Sequence, residues 1–186
     1  MLVLTGKTAS GKDLIKRILV TKYGFKQIVT YTTRPMRKGE KDGITYHYIS
    51  DDDFKDKIKK GFFAESKKYN TTSGVWYYGS AKQDFETATD DTVIILTPDG
   101  IKDVKNLKYN VKVVYVYANV ETISNRLLIR GDDKDESQRR ISHDEKDFKN
   151  VKIFADTIVE NNLNDDINTV IKHILFYYGK VVKNGK

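Results

Sequence analysis

Short unbroken apolar runs recur along the chain, and between them apolar residues return every three to four positions. Leu2-Val3-Leu4 and the segments 92–97 and 111–117 are continuous apolar stretches, the pattern of strands buried on both faces of a parallel sheet. Segment 25–30 predicts a further short strand, 157–159 a final one. Helical spacing follows the first run, with Leu14, Ile15, Ile18 and Leu19 on one face and an end near Gly24. A second helix runs from Val120 to about Arg130 with Ile123, Leu127 and Leu128 inward, followed by another polar helix. A terminal helix shows Ile167, Val170, Ile171, Ile174 and Leu175 at i, i+3, i+4, i+7 and i+8.

The stretch 31–80 reads differently. Residues 31–44 are polar and basic and predict a loop, and 45–49 alternates like a strand. Ser50 and Asp53 form a capping box for a short helix carrying Phe54 and Ile58. Segments 62–69 and 75–78 predict two strands joined by a turn, with a helix over 81–89. The expected fold is α/β: a P-loop NTPase-type parallel sheet wrapped by helices, with a small antiparallel insert. One domain is expected, with its core at 1–30 and 81–178, the insert at 31–80, a mobile charged lid at about 131–138 and a basic tail at 179–186.

Composition narrows the class. The 186 residues suffice for one self-supporting core. No apolar run reaches membrane-spanning length, and the first strand abuts Met1, so neither a membrane span nor a targeting peptide is expected. With no cysteine, disulfides and thiolate metal sites are excluded. A cytoplasmic protein, monomer or homodimer, is the simplest reading. The net charge of +7 raises nucleic-acid binding, but Lys and Asp interleave through most of the chain, and no nucleic-acid partner is expected.

The chemistry begins immediately after the first strand, at Gly6-Lys7-Thr8-Ala9-Ser10-Gly11-Lys12-Asp13. The glycines permit a tight turn that aims backbone N–H groups at phosphate oxygens. Lys12 adds a cation for the β- and γ-phosphates, and the following helix directs its positive dipole end there. The pattern usually closes with Ser or Thr, whose hydroxyl helps hold Mg²⁺; here Asp13 stands in that place. A second constellation follows, in which Arg34 and Arg37 three apart, with a tyrosine hydroxyl, make a cradle for a phosphate dianion that Glu40 can brace. Taken alone, that loop reads equally well as a solvated basic surface.

Together these marks resemble the guanylate kinase family over nearly the whole chain. The resemblance rests on the phosphate loop, the run Thr32-Thr33-Arg34-x-x-Arg37-x-Gly39-Glu40, Asp42-Gly43 then Tyr46, and Phe63-Ala64-Glu65. It continues through Tyr77-Tyr78-Gly79-Ser80, Arg126-Leu127 with Arg130-Gly131, and Arg140. It implies ATP-dependent phosphoryl transfer to GMP or dGMP with Mg²⁺. In such a site residues 6–13 bind ATP. Arg34, Arg37, Tyr46 and Tyr78 contact the monophosphate, with Glu40 orienting the arginines. Thr30, Glu65 and Ser80 face guanine, and Lys12, Arg130, Arg140 and Arg126 are the cations over the transferring phosphoryl group.

The chain departs from the family in three places. Asp13 closes the phosphate loop, an ending that also resembles phage deoxynucleoside monophosphate kinases and animal phosphomevalonate kinases; it is expected to bind Mg²⁺. Thr97 stands where the family carries an acid near guanine, so another (deoxy)nucleoside monophosphate is an alternative substrate. The lid between Arg130 and Arg140 is one residue short. A non-catalytic guanylate-kinase-like binding module is a further alternative, disfavoured by the intact Gly6, Gly11 and Lys12. His47, His143 and His173 lack metal-ligand spacing. Asp51-Asp52-Asp53 reads as a helix start, Trp76 as packing within the insert, and Asp132-Asp133 and Asp135-Glu136 as a solvated loop.

Overall fold

The computed structural model describes residues 1–37, 39–71 and 74–179. Strand β1 (Leu2–Thr5) is buried throughout, and helix α1 (Lys12–Tyr23) follows the loop after it. Gly24, at φ 70°, ends α1 by donating its N–H to the Leu19 carbonyl. The next strand, β2 (Lys26–Gln27), is shorter than its apolar run suggests, because the chain leaves this sheet and joins a second one as β3 (Tyr31–Thr32). That second sheet continues with β4 (His47–Tyr48), helix α2 (Asp51–Lys59), β5 (Phe63–Thr71) and β6 (Gly74–Ala81). The Ser50 hydroxyl caps α2, accepting from the Asp53 N–H at 3.1 Å and donating to the Asp53 carboxylate at 2.6 Å.

The chain returns through α3 (Lys82–Glu86) to β7 (Thr92–Ile95), then α4 (Pro98–Asn106) and β8 (Lys112–Tyr117). It ends in α5 (Val120–Arg130), α6 (Lys134–Asp147), α7 (Val151–Phe154), β9 (Thr157–Glu160) and α8 (Ile167–Tyr178). The first sheet is wholly parallel, in the order β2-β7-β1-β8-β9. Its connections run to one side of β1 and then to the other, which opens a crevice beyond the strand ends, where such sheets bind ligands. The second sheet, ordered β4-β3-β6-β5, is antiparallel except for the β3–β4 pair.

Successive side chains of β1 serve opposite layers. Leu2 and Leu4 pack with Ile15 and Leu19 of α1 and Ile171, Ile174 and Leu175 of α8. Val3 packs with Ile94, Ile101 and Val104 on the other face. Phe54 of α2 is fully buried and stacks on Phe63 at 4.4 Å, fastening α2 to the second sheet.

Several expectations change. Leu14, expected on the apolar face of α1, and Leu128, expected inward, are both exposed, Leu128 by 78%. Each adjoins a buried residue (Ile15, Leu127) about 100° around its helix, and the apolar contact is only one residue wide there. Helix α4 was not anticipated, and neither was the short α7. The charged stretch after Arg130 is mostly helix: Gly131 closes α5 at φ 73°, and the Asp133 carboxylate caps α6 by accepting from the Glu136 N–H at 2.9 Å. The basic tail beyond Gly179 lies outside the described residues. Among the described residues no helix is long and apolar enough to cross a membrane.

Candidate active site

The loop after β1 is compact because its glycines leave no room for side chains. A Cβ on Gly6 falls 2.6 Å from the Ser10 hydroxyl and from the Val116 carbonyl oxygen. One on Gly11, at φ 94°, falls 2.2 Å from the Asn161 amide nitrogen. Ala9 takes a positive φ of 54°, an uncommon conformation for a residue with a side chain. Two side chains hold the loop from behind. Asn161 donates to the Ser10 carbonyl at 2.8 Å, and Arg126 donates to the Ala9 carbonyl at 3.1 Å and the Asn162 carbonyl at 3.4 Å. Arg126 therefore sits beneath the loop rather than in the cavity above it. Asn161 escaped the sequence reading because only the pairing of β8 with β9 brings it to the loop.

Above the loop, Lys12 donates to the Lys7 carbonyl at 3.0 Å, and burial lowers its pKa against the opposing pull of Asp13 and Asp144. The Thr8 N–H donates to the Asp144 carboxylate at 2.6 Å, and Lys7 pairs with Glu145, so α6 is tied to the loop.

The facing wall carries the arginine cradle. Arg34 is almost completely buried, and its guanidinium donates to Glu40 Oε1 at 2.7 Å. Glu40 Oε2 accepts from the Arg37 N–H and from the Tyr48 hydroxyl, each at 2.7 Å. The Arg34 bond, with burial opposing, holds the Glu40 carboxyl down at about 2, so it stays ionised. On Arg34 burial works against the charge, and the Glu40 bond overrides it and raises the pKa. Arg34 also lies over the Tyr46 ring at 5.5 Å, and Tyr46 packs edge-on against Tyr78. Tyr48, one alternation beyond Tyr46, was not singled out from the sequence.

Deeper in, Glu65 is 9% exposed and its Oε1 accepts from the Ser80 hydroxyl at 2.6 Å. Burial pushes its carboxyl up to about 7, against the Ser80 bond. A Cβ on Gly100 falls 3.1 Å from Glu65 Oε2, so the start of α4 closes against this carboxylate. Thr97 lines the same cavity while capping α4, accepting from the Gly100 N–H at 3.2 Å. Ser80 is fully buried behind Glu65 and reaches the cavity only through it.

Arg130, Arg139 and Arg140 are held by carboxylates that the sequence reading left to solvent. Arg130 pairs with Asp132. Arg140 donates to Glu136 at 2.9 Å and to Asp132 at 3.3 Å, while Arg139 donates to Glu136 at 2.7 Å. The Arg139 bond, with burial opposing and Arg140 assisting, holds Glu136 at about 2.

One cavity of about 550 Å³ joins these parts. Gly6, Thr8, Lys12 and Asp13 line it from the loop. Thr30, Arg34, Arg37, Glu40, Tyr46, Glu65, Tyr78 and Thr97 line it opposite, and Arg140 lines it from α6. Arg130 lines an adjoining recess of about 430 Å³ together with Arg37, Arg140 and Trp76, so Trp76 faces the clefts rather than packing only within the insert. Lys7, Ala9, Ser10, Gly11, Ser80 and Arg126 do not line the cavity. Among the described residues no three His, Asp or Glu side chains converge as a metal site. Two carboxylates lie at the phosphate loop, Asp13 and Asp144; Asp144 already accepts from the Thr8 N–H, so a hard cation here would take Asp13, with phosphate and water oxygens completing its shell.

A parallel sheet with a phosphate loop after its first strand, facing an arginine cradle on a second sheet, defines a P-loop phosphotransferase that takes two phosphorylated substrates. The guanylate kinase family model matches residues 1–177, and the chain belongs to that family. It is 30% identical over 177 residues to the guanylate kinase of Wolinella succinogenes, covering 89% of this chain and 78% of the relative. It is 27% identical over 176 residues to that of Clostridium tetani, covering 91% and 82%. The crystal structure of guanylate kinase from Anaplasma phagocytophilum superposes with a TM-score of 0.66 at 22% identity, over 96% of this chain and 84% of that one, a likeness of fold.

Proposed function

We propose that the chain catalyses ATP-dependent phosphorylation of GMP to GDP, and of dGMP to dGDP, in the cytoplasm. The observation that carries this reading is the single cavity joining the phosphate loop, the Arg34–Glu40 cradle and the buried Glu65. Guanine offers N1–H and an exocyclic amine side by side, and one carboxylate accepts from both. Glu65, steadied by Ser80, is that acceptor, and Thr30 lines the same cavity. Arg34, Arg37, Tyr46 and Tyr78 hold the monophosphate.

The loop N–H groups and Lys12 hold the ATP phosphates. An oxygen of the GMP phosphate attacks the γ-phosphorus, the bond to the β,γ-bridging oxygen breaks, and ADP leaves with the electron pair. Lys12, Arg140 and Arg130 offset charge on the equatorial oxygens, and α6 closing over the loop excludes water. Asp13 would hold Mg²⁺, which would supply charge neutralisation to the ATP phosphates. Arg126 acts through the loop backbone rather than on phosphate.

ADP release coupled to NADH oxidation, with GMP, dGMP and the other monophosphates as acceptors, tests this reading. No turnover with any acceptor, but binding of GMP or a phosphopeptide, would replace the enzyme with a binding module. Preference for a pyrimidine or adenine monophosphate would favour the second reading that Thr97 raises, in which the base site has one charged acceptor fewer.

A further inference from the structure

Helix α1 carries a second lysine that the foregoing mechanism does not use. Lys16 lies four residues beyond Lys12 and three beyond Asp13, on the same face of α1, and it lines the main cavity. Side chains on a helix lean toward its N-terminus, so the Lys16 ammonium tilts back toward Asp13 and the phosphate loop. Asp13 is in turn close enough to the Tyr46 hydroxyl for its charge to act on it, and α1 packs against β2, whose end leads to Thr30. The ammonium thus lies within reach of the Asp13 charge on the cavity wall formed by α1.

Apart from Arg37, which already belongs to the cradle and among the described residues donates only through its backbone N–H, the other cations on these walls are engaged within the protein. Lys12 donates to the Lys7 carbonyl, Arg34 to Glu40, Arg140 to Asp132 and Glu136. Lys67 donates to Asp99 at 3.2 Å and Asp147 at 2.8 Å. Among the described residues no hydrogen bond or ion pair engages the Lys16 ammonium, and burial lowers its pKa against the pull of Asp13. A half-buried cation without a hydrogen-bond acceptor costs stability, and an anionic ligand removes that cost. Asp13 adds a negative charge at the point where two polyanionic substrates must meet, and a cation one turn away offsets it.

We infer that Lys16 is a phosphate-binding residue of the acceptor site, donating to the phosphate of the nucleoside monophosphate across the seam between Asp13 and Tyr46. This deepens the guanylate kinase reading and rests on it.

The test compares the unsubstituted protein with Lys16→Met, which keeps the chain length without charge, and with Lys16→Arg. Kinetics give KM for GMP and ATP separately, calorimetry gives GMP binding, and thermal melting gives Tm. Lys16→Met should weaken GMP by about tenfold in both KM and Kd, leave KM for ATP within about twofold, and leave Tm equal or higher. Lys16→Arg should recover most of the GMP affinity. An unchanged GMP KM in Lys16→Met overturns the inference, as does a loss confined to ATP. A fall in Tm that Lys16→Arg does not reverse assigns the side chain to packing and also overturns it. An active enzyme indifferent to Lys16→Met leaves the guanylate kinase reading standing, whereas an unsubstituted protein that neither binds nor phosphorylates GMP overturns both.

Discussion

The Ser80 hydroxyl donates to Glu65 Oε1 at 2.6 Å in a pocket where Ser80 is wholly buried and Glu65 nearly so. This bond favours the carboxylate, while burial works against it more strongly and lifts the Glu65 pKa from the usual 4.5 to about 7. Guanine recognition requires the ionised form. KM for GMP should therefore fall as pH rises through about 7, and Glu65→Gln should remove that dependence while weakening GMP throughout. A flat KM profile in the unsubstituted enzyme would contradict it.

The same shift makes a stability prediction of opposite sign. The folded protein takes up a proton that the unfolded chain has already lost, so stability is fully present below the usual 4.5 and declines as pH rises through about 7. Glu65→Gln should then raise Tm in the ligand-free protein above neutral pH, with the gain shrinking as the pH is lowered. Melting curves across that range decide it.

Arg34 and Arg37 should part company although both line the cavity where the monophosphate is proposed to bind. Arg34 is buried against Glu40, so Arg34→Ala leaves Glu40 without its charged partner and should lower Tm as well as weaken GMP. Arg37 donates to Glu40 only through its backbone N–H. Arg37→Ala should raise KM for GMP, the loss of a charged contact worth about 1.5–3 kcal/mol, with Tm and KM for ATP unmoved. Equal falls in Tm for both variants would mean that Arg37 also has a structural role.

Lys12 and Asp13 separate by what their loss affects. Lys12→Ala should reduce kcat by several orders of magnitude at unchanged Tm. Asp13→Asn should shift the Mg²⁺ concentration for half-maximal rate upward, since it removes the loop's own carboxylate; an unchanged metal titration would assign Asp13 to the helix start alone.

Thr97 both lines the cavity and caps α4. Its hydroxyl accepts from the Gly100 N–H at 3.2 Å as the α4 cap. Thr97→Asp should keep the cap, because a carboxylate accepts the same bond, and should add a charged acceptor near the base. kcat/KM for GMP should rise several-fold and the margin over other monophosphates widen. A variant that instead unfolds or loses GMP would show that the Thr97 oxygen serves only the helix.

Local pattern carried much of this protein. The Leu2-Val3-Leu4 run, the spacing of Gly6, Gly11 and Lys12, the Ser50–Asp53 cap and the Ile167 to Leu175 stripe are relations between residues within a few positions of each other, and the structure has each of them in place. Helix α4 is hard to read locally because Pro98 and Gly100 are poor helix formers; it forms once Thr97 caps it and Ile101 and Val104 meet β7 and β8.

Relations across long sequence separations were decided only by the tertiary structure. Asn161 and Arg126 reach the loop from 151 and 117 residues away, and Asp144 reaches Thr8 from 136. Charge counting put Asp132 and Glu136 in solvent because it does not record which arginines fold back onto them. The burial that lifts Glu65, and the lack of a bonded partner for Lys16 among the described residues, belong to the shared cavity. Residue type determined which chemistry was available, through charge, hydroxyl and backbone freedom. The packing of two sheets and α6 around one space determined which of those groups meet, because desolvation and hydrogen bonding depend on neighbours that the linear order does not specify.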